Sequence, residues 1–145
     1  MRKKVILVTG ASKGIGREIV RSLVQNKNNY IVLVARNESS MIEAMEKYDK
    51  TKYIIHKADV SDEAAVKKVV IDTINKFGQI DILINNAGFV EPNNLLETSL
   101  EEWNLTLSIN LTGTFLMTRE VVREMKKYGG KIINIASTAG LSPRP

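Results

Sequence analysis

No cysteine occurs among the 145 residues, which removes disulfide frameworks, thiol nucleophiles and thiolate metal sites together. The single histidine, His56, has no second ligand nearby, so no metal site is expected. No apolar run approaches the roughly 20 residues of a membrane span. Met1-Arg2-Lys3-Lys4 imitates the basic start of a signal peptide, but the apolar run behind it is too short and ends in a glycine turn. Repeats, low-complexity tracts and linkers are missing too. The net charge of +5 comes without a basic block or basic-aromatic interleaving. The lysine doublets at Lys3-Lys4, Lys67-Lys68 and Lys126-Lys127 are scattered and read as solvated faces. Neither nucleic acid nor a membrane is therefore expected as a partner, and the cytoplasm is the default location. With 43% hydrophobic and 26% charged residues, the chain reads as one globular domain over residues 1–145.

What is present is organised around Thr9-Gly10-Ala11-Ser12-Lys13-Gly14-Ile15-Gly16. The β-branched run Val5-Ile6-Leu7-Val8 precedes it, and Arg17 to Val24 follows with apolar residues at helical spacing. A buried strand, a glycine turn and a helix start make the geometry of a phosphate cradle: glycines allow close backbone approach, and the helix N-terminus faces the anion. The spacing G-x-x-x-G-x-G departs from the dinucleotide fingerprint G-x-G-x-x-G, and no Gly-Lys-Ser/Thr makes it a P-loop.

Further strands are expected at Tyr30 to Ala35, Tyr53 to Ala58, Ile80 to Ile84 and Lys131 to Ala136. Between them lie a short helix from Asn37 to about Lys47 and an amphipathic helix capped by Ser61 and stopped by Gly78. A long helix then begins near Thr98-Ser99, passes Asn104 and extends towards Lys127. About five strands alternating with helices imply a parallel sheet buried on both faces, doubly wound, in three layers. In such sheets ligands sit outside the carboxyl ends of the strands, where residues 10–16, Arg36, Asp59, residues 85–88 and Ser137 all fall.

The motifs carry a resemblance. The glycine stretch resembles that of the short-chain dehydrogenase/reductase family, classical type. Asn85-Asn86-Ala87-Gly88 is similar to the family's second hallmark, Asn110-Leu111-Thr112-Gly113-Thr114-Phe115 to a third, and Ile132-Ile133-Asn134-Ile135-Ala136-Ser137 to the strand bearing its catalytic serine. The resemblance implies a Rossmann fold and hydride transfer between a nicotinamide cofactor and a carbonyl/alcohol substrate. Gly10, Ser12, Lys13, Gly14, Ile15, Gly16, Arg36, Asp59, Val60, Asn86, Ala87 and Gly88 would then hold the cofactor. Ser137 would orient the substrate, and Asn110 would hold a water of the proton relay.

Each assignment has a plainer alternative. The second strand ends Val34-Ala35-Arg36-Asn37, without the acid that would bond an NAD ribose. Arg36 and Lys13 can both reach a 2′-phosphate, which favours NADP over NAD, although Arg36 can also simply end the strand in solvent. Asp59 matches the position that bonds adenine, or serves as a helix cap. Asn110 either serves the relay or is a helix-bending asparagine bonded to backbone. Two sequons, Asn104-Leu105-Thr106 and Asn110-Leu111-Thr112, fall in an expected helix and are set aside.

The family also pairs a tyrosine with a lysine four residues later. Tyr48/Lys52 and Tyr53/Lys57 have that spacing but precede residues 85–88, whereas the family's pair follows the serine strand. The expectation is therefore a cofactor-binding domain incomplete at its carboxyl end, with a binding module lacking turnover as the alternative. Residues 104–127 are apolar over much of the helix circumference; by resemblance this helix builds a homo-oligomer, and burial against further strands and helices is the alternative.

Overall fold

The computed structural model describes residues 3–91 and 93–140. Met1, Arg2, Pro92 and residues 141–145 of the expected closing loop lie outside the described residues. The elements follow in the order β1 (Lys4–Thr9), α1 (Gly14–Val24), β2 (Asn29–Ala35), α2 (Glu38–Met45), β3 (Tyr53–Lys57), α3 (Glu63–Phe77), β4 (Ile82–Asn85), α4 (Leu100–Leu107), α5 (Thr114–Met125) and β5 (Lys131–Asn134). A π-helical segment, Ser108–Gly113, joins α4 to α5, and short 3-10 turns occupy Lys50–Lys52 and Thr138–Gly140.

The five strands form one parallel sheet in the order β3-β2-β1-β4-β5. The order reverses between β1 and β4, and that reversal opens a crevice at the carboxyl ends of the strands. Alternate residues of the same strands feed opposite faces. Leu7, Val32, Val34 and Leu83 pack with Val66, Val69, Met117 and Val121 from α3 and α5. Ile6, Val8, Ile31, Leu33 and Ile84 pack with Val20, Val24, Met41 and Met45 from α1 and α2. These are the three expected layers.

Four expectations need correction. The sheet is not buried on both faces throughout, because every residue of β5 is exposed. β5 also ends at Asn134 rather than Ala136, and β4 begins at Ile82 rather than Ile80. The cap of α3 is Asp62, whose carboxylate accepts from the N–H groups of Ala64 (2.8 Å) and Ala65 (3.1 Å). Ser61 is instead taken by Asp59, which accepts from its N–H at 2.9 Å and its hydroxyl at 2.7 Å. Finally, the long helix starts from the expected cap region, where Ser99 and Glu102 form a reciprocal capping box, but it is not continuous to Lys127: the π-helical segment interrupts it.

Candidate functional site: a groove at the carboxyl ends of the strands

A groove of about 840 Å³ opens where β1, β2, β3 and β4 end. Its floor is the glycine turn. Gly10 has φ +65°, and a Cβ there would lie 2.8 Å from Ala87 Cα, so both conformation and packing demand glycine. A Cβ on Gly16 would overlap the carbonyl oxygen of Gly10, so the first turn of α1 presses directly on the loop. Lys13 stands at the N-cap of α1 and no side chain caps that helix. Asn37, Asp62 and Ser99 do cap α2, α3 and α4. The first-turn N–H groups of α1 are thus left for whatever enters the groove.

Asn86 ties this turn to β4. Its Nδ2 donates to the carbonyls of Thr9 (3.0 Å) and Gly10 (3.3 Å), while the N–H groups of Asn86 and Ala87 donate to Thr9 Oγ1 at 3.0 and 2.9 Å. These bonds tie β4 to the end of β1. Gly88 is less constrained: a Cβ there would meet Asn110 Oδ1 at an ordinary 3.6 Å.

Of the expected cofactor residues, Gly10, Ser12, Lys13, Gly14 and Ile15 line one side of the groove. Arg36, Asp59 and Val60 line another, and Asn86, Ala87 and Gly88 close it. Gly16 is buried beneath. Arg36 and Asp59 face each other with Nη1 3.9 Å from Oδ2, the arginine side chain 65% exposed. Asp59 also anchors the turn into α3 through Ser61, so its cap alternative is replaced by a turn role.

Sequence reasoning missed Lys57, Glu38, Ser39 and Ser40, which also line this end. The signal lay in register: Ala35 pairs with Lys57, so the last residue of β3 arrives on the same rim as Arg36. Asn37 holds the start of α2 there, accepting from Ser39 Oγ (2.9 Å) and Ser40 N–H (3.1 Å).

Asn110 and Ser137 are not on the groove wall. Asn110 Oδ1 accepts from Phe89 N–H (2.8 Å), and its Nδ2 donates to Phe89 O (2.7 Å). Both ends of the amide are engaged by backbone, the plainer of its two alternatives. The π-helical segment brings it there, fixing the loop that continues from Gly88. Ser137 lies past the end of β5, its carbonyl accepting from Gly140 N–H at 3.1 Å. Neither Tyr/Lys pair is brought together at the groove: only Lys57 reaches its rim, without its tyrosine. Tyr48 packs on the α1/α2 side, and Tyr53 opens β3 at the end of the sheet away from the groove.

Parallel sheet, strand order and glycine turn define a doubly wound α/β domain of the Rossmann type. The comparisons with known proteins narrow this. Residues 4–145 match the family described as short chain dehydrogenase, and the chain belongs to that family. It is 35% identical over 144 residues to an uncharacterized oxidoreductase of Thermotoga maritima, covering 98% of this chain and 56% of that protein. A 3-oxoacyl-[acyl-carrier-protein] reductase of Haemophilus influenzae is 36% identical over 148 residues, covering 100% of this chain and 60% of its own length. Among solved structures, serine dehydrogenase from Escherichia coli superposes with a TM-score of 0.88 at 32% identity, covering 97% of this chain and 65% of that one. A short-chain dehydrogenase from Streptomyces avermitilis gives 0.89 at 28%, covering 97% and 51%. The chain thus spans little more than half the length of the curated relatives it matches.

Proposed function

We propose that residues 1–145 form the NADP(H)-binding domain of an oxidoreductase that interconverts a carbonyl and a secondary alcohol. The observation that carries the cofactor choice is the cationic rim: Lys13, Arg36 and Lys57 share one groove, and β2 ends in Arg36 where an NAD enzyme would place an acid. The uncapped start of α1 and the glycine floor suit a pyrophosphate. Arg36 offers a planar fork to a 2′-phosphate, and Lys13 adds a point charge. Asp59 holds Arg36 over the rim and also offers an acceptor for an adenine amino group. Glu38 lines the same end, and we take it to be screened by solvent rather than paired to a ribose.

A nicotinamide, when bound, supplies or accepts the hydride. Ser137 would donate a hydrogen bond to the substrate oxygen and orient it. With the Asn110 side chain occupied by Phe89, a relay water would fall to its main-chain carbonyl, which already accepts from Thr114 Oγ1 at 2.9 Å. The substrate is a small carbonyl or alcohol compound, and the cytoplasm is the proposed location. Among the described residues no helix is long and apolar enough to cross a membrane.

The test is cofactor titration. Arg36→Ala should weaken NADPH by about 10–100-fold, the worth of a charge-assisted hydrogen bond, while changing NADH by no more than about twofold. Equal loss for both cofactors would refute the assignment. Rising salt should weaken NADPH more than NADH.

A second reading, a binding module without turnover, is favoured by one observation: neither described Tyr/Lys pair lies near Ser137. A tyrosine and lysine supplied beyond residue 145 and required for turnover would dismiss it.

We also propose self-association through the long helix. Trp103, Leu107, Leu111 and Phe115 recur every fourth residue and are 52%, 38%, 65% and 55% exposed. Ile109, Leu116, Met117, Val121 and Met125 face inward. Leu111→Glu should convert a dimer to a monomer in sedimentation; an unchanged mass would remove this face from the interface.

A further inference from the structure

The carboxyl end of β4 carries two asparagines that act in opposite directions. Asn86 holds the glycine turn, as described. Asn85 is buried, only 5% exposed, and reaches the other way. Its Nδ2 donates to Thr118 Oγ1 on α5 (3.0 Å) and to Oδ1 of Asn134, the last residue of β5 (2.9 Å). Its main-chain carbonyl accepts from Ile135 N–H at 2.9 Å. Asn85 and Asn134 are register partners, so these bonds converge where β5 ends and the segment to Ser137 begins.

The rest of β5 gives that segment little support. All of its residues are exposed, in contrast to β1 and β2. Burial in this chain therefore contributes little to fixing the end of β5, which is held by its main-chain ladder with β4 and, among side chains, by the Asn85 amide. The choice of residue is chemically narrow. One nitrogen with two N–H donors serves a hydroxyl oxygen and an amide oxygen at once; an aspartate has no donor and a serine has one. Asn85 Oδ1 is buried and meets no hydrogen-bond partner among the described residues, so the donors alone hold the side chain.

We infer that Asn85 is a positioning residue for Ser137: it fastens the end of β5 to β4 and α5 and so sets where the serine hydroxyl stands. This rests on the reading of Ser137 as the substrate-orienting group. Asn85 and Asn86 then form one two-way brace, with the cofactor floor on one side and the serine segment on the other.

The test uses amide NMR of this chain with NADPH as the probe. In Asn85→Ala the resonances of Ile135, Ala136 and Ser137 should move and broaden. Those of residues 10–16 should stay, with NADPH affinity within about twofold of the parent, as expected for sites without shared partners. Thr118→Val keeps the side-chain shape and removes one acceptor, so it should move the same resonances less. Resonances of residues 135–137 that do not move in either variant overturn the inference. Should Asn85→Ala fail to fold, Thr118→Val decides alone: movement confined to residues 135–137 supports the brace, and its absence overturns it. The two readings fail separately. A parent chain that does not bind NADPH overturns the proposed function, whereas unmoved resonances with NADPH bound overturn the brace alone.

Discussion

β2 and β5 are parallel strands of one sheet, and their sequences read alike: Ile31-Val32-Leu33-Val34 lies in one, and Ile132-Ile133-Asn134 in the other runs on into Ile135 just past its end. Their surroundings differ completely. Ile31, Val32, Leu33 and Val34 are each 0% exposed, while Ile132, Ile133 and Ile135 are 38%, 45% and 43% exposed. β2 has strands on both sides and helices on both faces; β5 pairs with β4 alone and, among the described residues, presents an open outer edge. A β-branched run therefore announces a strand but not its burial, because burial is supplied by neighbours. The centre of the sheet, β1 and β2, is closely packed, and the serine end of the sheet is held by its ladder with β4 and by polar anchors.

The most direct way to break this contrast is to truncate the same residue type in both strands. Ile31→Ala should destabilise by about 2–5 kcal/mol, since both lost methylene contacts and a cavity count against it. Ile133→Ala should change stability by less than about 1 kcal/mol, as partly exposed sites do. Urea midpoints at constant m-value measure both. Equal losses would mean that β5 is covered in solution, by a second copy or by chain outside the described residues.

The groove can be sharpened by the same kind of pairing. Gly16→Ala sets a Cβ against the Gly10 carbonyl and should cost about 1–3 kcal/mol as the turn shifts, with NADPH binding falling alongside. Gly88→Ala meets only an ordinary contact with Asn110 and should leave stability within about 0.5 kcal/mol. If Gly88 nonetheless loses NADPH affinity, its openness serves the ligand rather than the fold. If neither stability nor affinity changes, its place in the cofactor site is withdrawn.

Much of this architecture was legible because the chain punctuates itself. Apolar runs end at Asn26-Lys27-Asn28-Asn29, Gly78 and Gly129-Gly130, and the strand-turn-helix at residues 5–24 admits few other geometries. The groove residues followed from the rule that strand ends share a rim. What stayed hidden depends on contacts distant in sequence. The π-helical segment follows Asn110 onto the backbone of Phe89, 21 residues away, which no local periodicity reveals. Ser61 and Asp62 are both good caps in adjacent positions, and the choice fell to Asp62 because Asp59 had already engaged Ser61. Lys57 read as the tail of a strand until register put it beside Arg36.

That cap gives a smaller effect. Asp62→Ala should destabilise by about 1 kcal/mol, the usual worth of an N-cap, while Ser61→Ala should leave α3 intact and loosen only the turn at Asp59. Thermal melts with helicity followed at 222 nm separate the two (the wavelength is roughly that of the α-helical minimum). A larger loss for Ser61→Ala would return the cap to Ser61.

The smallest effect concerns β3, the edge opposite β5. His56 lies mostly inside, with Nδ1 3.9 Å from Asp72 Oδ2 and Nε2 buried without a hydrogen-bond partner among the described residues. Burial pushes its pKa below the ordinary 6.5; Asp72 opposes this, but Lys68 and Lys76 add to it. The unfolded chain therefore binds a proton before the folded one does. Stability is full above about 6.5 and is lost as pH falls from there towards the folded-state value. Asp72, drawn low chiefly by its hydrogen bond from Lys68, stays charged throughout and loses its own contribution only below its ordinary 3.8. Since the chain has one histidine, a slope between about pH 6.5 and 5 belongs to His56 alone among the side chains. His56→Gln should flatten that slope. A slope that survives the substitution would assign the proton uptake to another group and remove His56 from the comparison of the two edges.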